Sequence, residues 1–202
     1  MFRWLAVLLL VVAVAAAARA QLDGSVVSLE HPATGYRTQP LRNPVADLQD
    51  RLAQGKSELA FDARPGIGYL ADVLRELRVP LESQLLVYSK TSLQQGLIAP
   101  DRPRAIFFND ELAVGSVQDG LIEIAVQDAK QGAVFYTLDR VAGEPRLERQ
   151  GSCLGCHYAH ATLGVPGFFA RSIPTAADGQ IQIGRAHVLT PVTVKSRMPS
   201  SA

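Results

Sequence analysis

The chain has 202 residues, with 20 Lys and Arg against 19 Asp and Glu, and a formal net charge of +1. A nucleic-acid-binding surface needs clustered surplus Lys and Arg, and nothing in this balance supports one. The length allows one domain with its own hydrophobic core, and we find no internal repeat or low-complexity linker.

The first twenty residues have the layout of a secretory signal. Arg3 precedes an unbroken apolar run over residues 4–18, and Ala18-Arg19-Ala20 provides a small-residue cleavage site. We therefore expect a signal peptide at 1–20 and a mature protein that is periplasmic or otherwise exported. The alternative is an uncleaved membrane anchor, although the run is shorter than the ~20 residues that span a bilayer. Membrane association follows only from that alternative.

Two amphipathic helices are expected next. Asn43 and Pro44 form an N-cap and first helical residue, and apolar residues at 45, 48 and 52 repeat at helical spacing before Gly55. A second helix is predicted to begin near Gly66 and to stop before Pro80. Both would cover one side of a core.

Short apolar segments rich in β-branched and aromatic residues follow, separated by turn-forming clusters. The predicted strands are 85–88, 105–108, 112–117, 121–126 and 133–138. An antiparallel β-meander is the economical arrangement. The predicted fold class is α+β: two short N-terminal helices, this meander, and then a haem c-binding segment. Phe107, Phe108, Phe135 and Tyr136 are expected to fill the core, with the alternative that they form part of the apolar shell that a haem requires.

The motif Cys153-Leu154-Gly155-Cys156-His157 carries the chemistry. In a c-type haem, two thiols form thioethers with two vinyl groups, and the next residue places an imidazole beneath the iron. Two intervening residues let the thiols of Cys153 and Cys156 reach separate vinyls while His157 turns towards the metal. We therefore predict one covalent haem c held by Cys153, Cys156 and His157. Export agrees with this prediction.

Three alternatives compete with haem. A structural zinc site needs four ligands, and the chain has no other cysteine. A thioredoxin-like redox pair is expected in a βαβ setting, which this hairpin-rich chain does not predict. A structural disulfide leaves His157 without a role.

The last twenty residues resemble translated sequencing-adapter DNA. The matching blocks are residues 183–188, 190–193 and 196–202, and Leu189 stands where that frame would normally stop. We expect 183–202 to be non-native and the native chain to be truncated near Gln182. Leaving out this tail and the signal removes five basic residues, so 15 remain against 19 acidic ones and the net charge is near −4.

The predicted organisation has four parts: a signal peptide at 1–20, an α+β domain at 21–150, a haem-binding segment at 151–182 and the adapter-derived tail at 183–202.

Several segments besides the haem motif resemble a family of exported bacterial c-type cytochromes that is defined by its cytochrome c domain. These segments are His-Pro-Ala at 31–33 with Tyr36, Ser-Lys-Thr-Ser at 89–92, Pro-Arg-Ala-Ile at 103–106, Phe-Asn-Asp at 108–110, Ala-Val-Phe-Tyr-Thr-Leu at 133–138 and Gly-Val-Pro-Gly at 164–167. The resemblance covers residues 31 to about 178, and family members are usually longer than this chain. It implies haem binding and electron transfer with redox partner proteins, and it supplies no substrate.

The second axial ligand of the iron is open. Besides Met1, the only methionine is Met198, which lies in the suspect tail. His31 is the leading candidate metal ligand beside His157, since Pro32 restricts the backbone around it. His160 is the rival, although it projects from much the same helical face as His157. A ligand beyond residue 182, or a vacant position, also stays open.

The second axial ligand of the iron decides between an electron carrier and an enzyme or sensor. A saturated iron favours an electron carrier, which is the function we expect, and no catalytic residue is predicted. An open iron position would instead indicate a haem peroxidase-like oxidoreductase or a haem-based gas sensor.

Overall fold

The computed structural model describes residues 28–169 and 175–182. The predicted signal peptide and adapter-derived tail lie outside these residues. Within the described part of the chain, every helix is too short or too polar to cross a bilayer.

Helix α1 (Pro44–Ala53) forms where the sequence predicts it. The Asn43 side chain accepts a hydrogen bond from the backbone N–H of Ala46 at 3.0 Å, which is N-cap geometry. Val45 and Leu48 are fully buried. The predicted cap and apolar stripe are confirmed.

Helix α2 (Leu70–Glu76) begins later than the predicted start near Gly66. Gly66 has φ +77° and Gly68 has φ +56°. This left-handed backbone is available to glycine but cannot continue a right-handed helix. Ile67 therefore belongs to a turn before α2, and the predicted start was wrong by about one turn.

Among the described residues, six antiparallel strands form one sheet in chain order, which confirms the α+β class and the meander. The strands are β1 (Leu85–Val87), β2 (Arg104–Phe108), β3 (Leu112–Ser116), β4 (Ile122–Asp128), β5 (Gly132–Leu138) and β6 (Leu147–Arg149). The first five match predicted segments. Strand β6 was not predicted, because Leu-Glu-Arg has one apolar residue and no alternation.

One face of the sheet is covered by the helices. In β4, Ile122, Ile124 and Val126 are buried on this face, and they pair with alternate residues of β5. The Asn43 side chain at the start of α1 donates to Asp128 Oδ2 at 3.0 Å on the same side. We call this the helix-covered face.

The opposite face carries Ile106 and Phe108 of β2, Ala113 and Gly115 of β3, Glu123 and Ala125 of β4, and Phe135 and Thr137 of β5. We call it the motif face, because the ring of His157 packs on Phe135 there. Phe107, Phe135 and Tyr136 are buried as expected, but Phe108 is 47% exposed. Its position in β2 points it to the motif face and away from Phe107 in the core, so the expectation that it fills the core was wrong.

Candidate functional site

The cysteine motif forms a single helical turn directly after the sheet. Helix α3 (Leu154–His157) follows β6, and the backbone N–H of His157 donates to Cys153 O at 3.0 Å. Leu154 is buried and joins the turn to the core. Both thiols are free; that of Cys153 is half-buried and that of Cys156 is exposed. The structure therefore brings Cys153, Cys156 and His157 together, as the spacing predicts.

The imidazole of His157 is fixed by a backbone carbonyl. Its Nδ1 lies 2.9 Å from Gly167 O. Because a carbonyl oxygen only accepts, Nδ1 carries the hydrogen, and the neutral ring keeps its lone pair on Nε2. The ring centroid is 4.7 Å from that of Phe135. The site thus holds one nitrogen in the form that binds a metal.

The turn after the motif is clamped to both α3 and the sheet. The backbone N–H of Gly167 donates to His157 O at 3.0 Å, and the N–H of Ala133 donates to Pro166 O at 2.9 Å. A Cβ at Gly132, whose φ is +75°, would lie 2.3 Å from Pro166 O. Glycine at position 132 therefore lets the turn approach the start of β5. The sequence predicted a turn here but did not identify Gly167 as the partner of His157.

The surroundings of Cys153 disfavour a redox-active thiol. Burial, and after it the charge of the nearby Glu123 carboxylate, raises the pKa of Cys153 to about 11, while Arg104 opposes this rise. Thioredoxin-like cysteines need a lowered pKa, since the thiolate is the nucleophile. The sheet is also wholly antiparallel, unlike a βαβ unit. Both observations weaken the redox-pair alternative.

The zinc alternative lacks ligands in the described part of the chain. No group of three or more His, Cys, Asp or Glu residues is placed to hold a metal ion there. Structural zinc requires four protein ligands. A haem brings its own equatorial nitrogens and takes only axial ligands from the protein, so the donor set of two thiols and one oriented imidazole fits haem c.

His31 does not offer a lone pair in this conformation. It is exposed in a turn, and its Nδ1 accepts a hydrogen bond from the backbone N–H of Ala33 at 3.2 Å. In the neutral ring Nε2 then carries the hydrogen. Binding of His31 to iron therefore requires that its hydrogen bond with Ala33 break. His160 begins a 3-10 turn (His160–Thr162), three residues after His157.

The segment that contains His31 is nevertheless anchored beside the motif. The Tyr36 hydroxyl donates to Ala133 O at 3.0 Å, and the Arg149 guanidinium lies 4.4 Å from the centre of the Tyr36 ring. Burial raises the pKa of Tyr36, Arg149 opposes the rise, and nearby Cys153 adds a smaller contribution to it. The His31 segment and the motif therefore approach the same part of the molecule.

Comparisons of the chain with protein-family models, with curated proteins and with solved structures found no match.

Proposed function

We propose that this chain is an exported c-type haem protein that holds one haem through Cys153, Cys156 and His157 and takes part in electron transfer with redox partner proteins. The observation that carries the proposal is the hydrogen bond from His157 Nδ1 to Gly167 O. His157 itself lies in the same helical turn as the two thiols. The haem, when bound, supplies an iron that alternates between the ferric and ferrous states.

Each residue of the motif has a distinct role in this proposal. Cys153 and Cys156 would form the two thioether bonds, and His157 Nε2 would bind the iron. The carbonyl of Gly167 fixes the orientation of the ring and increases the basicity of Nε2. Phe135 packs against one side of the imidazole, with the ring centroids 4.7 Å apart.

The proposal is tested by expression with a cytochrome c maturation system. We expect the wild type to keep a haem-stained band through denaturing electrophoresis, and the double variant Cys153→Ala, Cys156→Ala to lose it. Ser152→Ala is the matched control, because Ser152 is exposed beside the motif and takes no part in attachment. A folded wild type without a haem-stained band would contradict the proposal.

The state of His31 favours a second candidate, a haem peroxidase-like oxidoreductase or a haem-based gas sensor. With its Nδ1 bonded to Ala33, His31 would not bind the iron of an attached haem, and the iron could then bind an external ligand such as peroxide or a gas. Carbon monoxide binding separates the candidates: ready binding by the ferrous wild type supports the enzyme or sensor, and no binding supports the carrier.

A further inference from the structure

We propose that the haem lies against the motif face of the sheet, where Arg104 pairs with a haem propionate and Glu123 positions Arg104. This inference rests on the proposed function and adds a polar contact that the cysteine motif does not predict.

The two charged residues meet on the motif face. Arg104 Nη2 lies 2.5 Å from Glu123 Oε2, and the two side chains are 21% and 12% exposed. The Arg104 side chain passes over Gly115, where a Cβ would collide with its guanidinium. Gly115 pairs with Glu123 across β3 and β4, so the missing side chain makes the ion pair possible.

This ion pair is next to the motif. The charges of Glu123 and Arg104 both act on the thiol of Cys153. Ala125, the next residue of β4 on this face, pairs with Phe135, which touches the ring of His157. A cofactor attached at Cys153 and bound by His157 is therefore within reach of the ion pair.

Several hydrogen-bonding atoms of the Arg104–Glu123 ion pair have no partner among the described residues. Arg104 Nε and both Glu123 carboxylate oxygens are buried without a hydrogen-bond partner, because the close contact between the two groups lacks hydrogen-bond geometry. The attraction within a buried ion pair offsets the free-energy cost of desolvation only when the remaining donors and acceptors of the pair are also hydrogen-bonded. The planar guanidinium group can donate two hydrogen bonds to one carboxylate, and a haem carries two carboxylates, its propionates. A propionate brought beside Arg104, with the guanidinium turned towards it, would accept the hydrogen bond that Nε does not make among the described residues.

Part of the motif face is also apolar and exposed. Phe108, Ala113, Ala125 and Phe135 form one row across β2 to β5. Phe108 is 47% exposed at the β2 end of the row, and Ala113 and Ala125 are partly exposed, whereas Phe135, which contacts His157, is buried at the other end. A haem over Phe108, Ala113 and Ala125 would bury the apolar surface that these three residues expose.

The test is the reduction potential of the haem-loaded protein, measured by spectroelectrochemistry at constant ionic strength. A cation beside the haem stabilises the reduced state, so Arg104→Gln should lower the potential and Arg104→Lys should restore most of it. Glu123→Gln, which is nearly isosteric, should raise it. Arg42→Gln is the control, since Arg42 is exposed before α1 and beside Asp128 of the helix-covered face.

Opposite shifts for Arg104→Gln and Glu123→Gln support the inference, because a purely structural ion pair would lose stability from either change without this sign reversal. If Arg104→Gln does not load haem, the reduction potentials of Arg104→Lys and Glu123→Gln test the inference. Haem-loaded variants with the wild-type potential would overturn the inference and leave the proposed function intact. A wild type without covalent haem would contradict the proposed function itself.

Discussion

At the scale of single residues, Cys153 and Cys156 differ although they share one helical turn. Cys156 is exposed, whereas Cys153 is half-buried beside Glu123. Because burial and this carboxylate disfavour its thiolate, Cys153 should be the less reactive thiol of the haem-free protein.

We predict that iodoacetamide modifies Cys156 at least about ten times faster than Cys153 at pH 8, as measured by peptide mass spectrometry. The pKa of Cys153 is raised to about 11, so its thiol stays protonated through neutral pH, and its rate should climb as pH rises towards that value. Glu123→Gln should speed the reaction of Cys153, whereas Glu111→Gln, in the exposed β2–β3 hairpin, should not. Equal rates for the two thiols would contradict the burial and the neighbouring carboxylate described for Cys153.

His31 gives a second prediction at this scale. We expect the haem-loaded wild type to be low-spin and six-coordinate, and His31→Ala to become high-spin and to bind carbon monoxide. Optical and electron paramagnetic resonance spectra measure both states. Coordination also requires that His31 release the N–H of Ala33, so the ligand forms only by rearrangement of this turn.

Two outcomes would contradict that assignment. A low-spin spectrum that persists in His31→Ala would move the ligand to His160 or to sequence beyond residue 182. A high-spin wild type would favour the enzyme or sensor over the carrier.

At the scale of elements, Asn43 joins α1 to the sheet. It caps α1 through Ala46 and donates to Asp128 Oδ2 at 3.0 Å. The residue is only 4% exposed. One side chain therefore both starts a helix and fixes it on β4.

We predict that Asn43→Ala lowers the free energy of unfolding by about 2–3 kcal/mol, from the lost cap and from a buried carboxylate that loses a donor. Urea denaturation of the haem-free protein measures this. Asp50→Ala, on the exposed side of α1, should change stability by less than about 0.5 kcal/mol. A loss of similar size in both variants would mean that Asn43 has no special role.

Local pattern explains which elements were predictable. Asn43 and Pro44 mark a helix start by their own chemistry, and the five apolar strands are marked by β-branched residues and turns between them. The start of α2 was misplaced because periodicity from Ile67 onwards concealed the left-handed backbone at Gly66 and Gly68. Strand β6 depends on pairing with β5, which three residues with two charges do not reveal.

At the scale of the molecule, the two faces of the sheet have different roles. The helices cover one face and complete the core, while the other face carries the motif and the ion pair. The spacing of Cys153, Cys156 and His157 predicted that they act together; they share one helical turn in the structure, and their binding of haem stays a prediction. Gly167 and Glu123 were not predictable, because their positions depend on the path of the turn after α3 and on strand register across the sheet.

The most direct test of covalent haem attachment is mass spectrometry of a tryptic digest, after expression with the maturation system. Trypsin releases residues 150–171 as one peptide that contains both cysteines. We predict that this peptide carries the mass of one haem, with Cys153 and Cys156 both protected from alkylation. The same peptide with free, alkylated or disulfide-bonded cysteines and no haem would contradict the account.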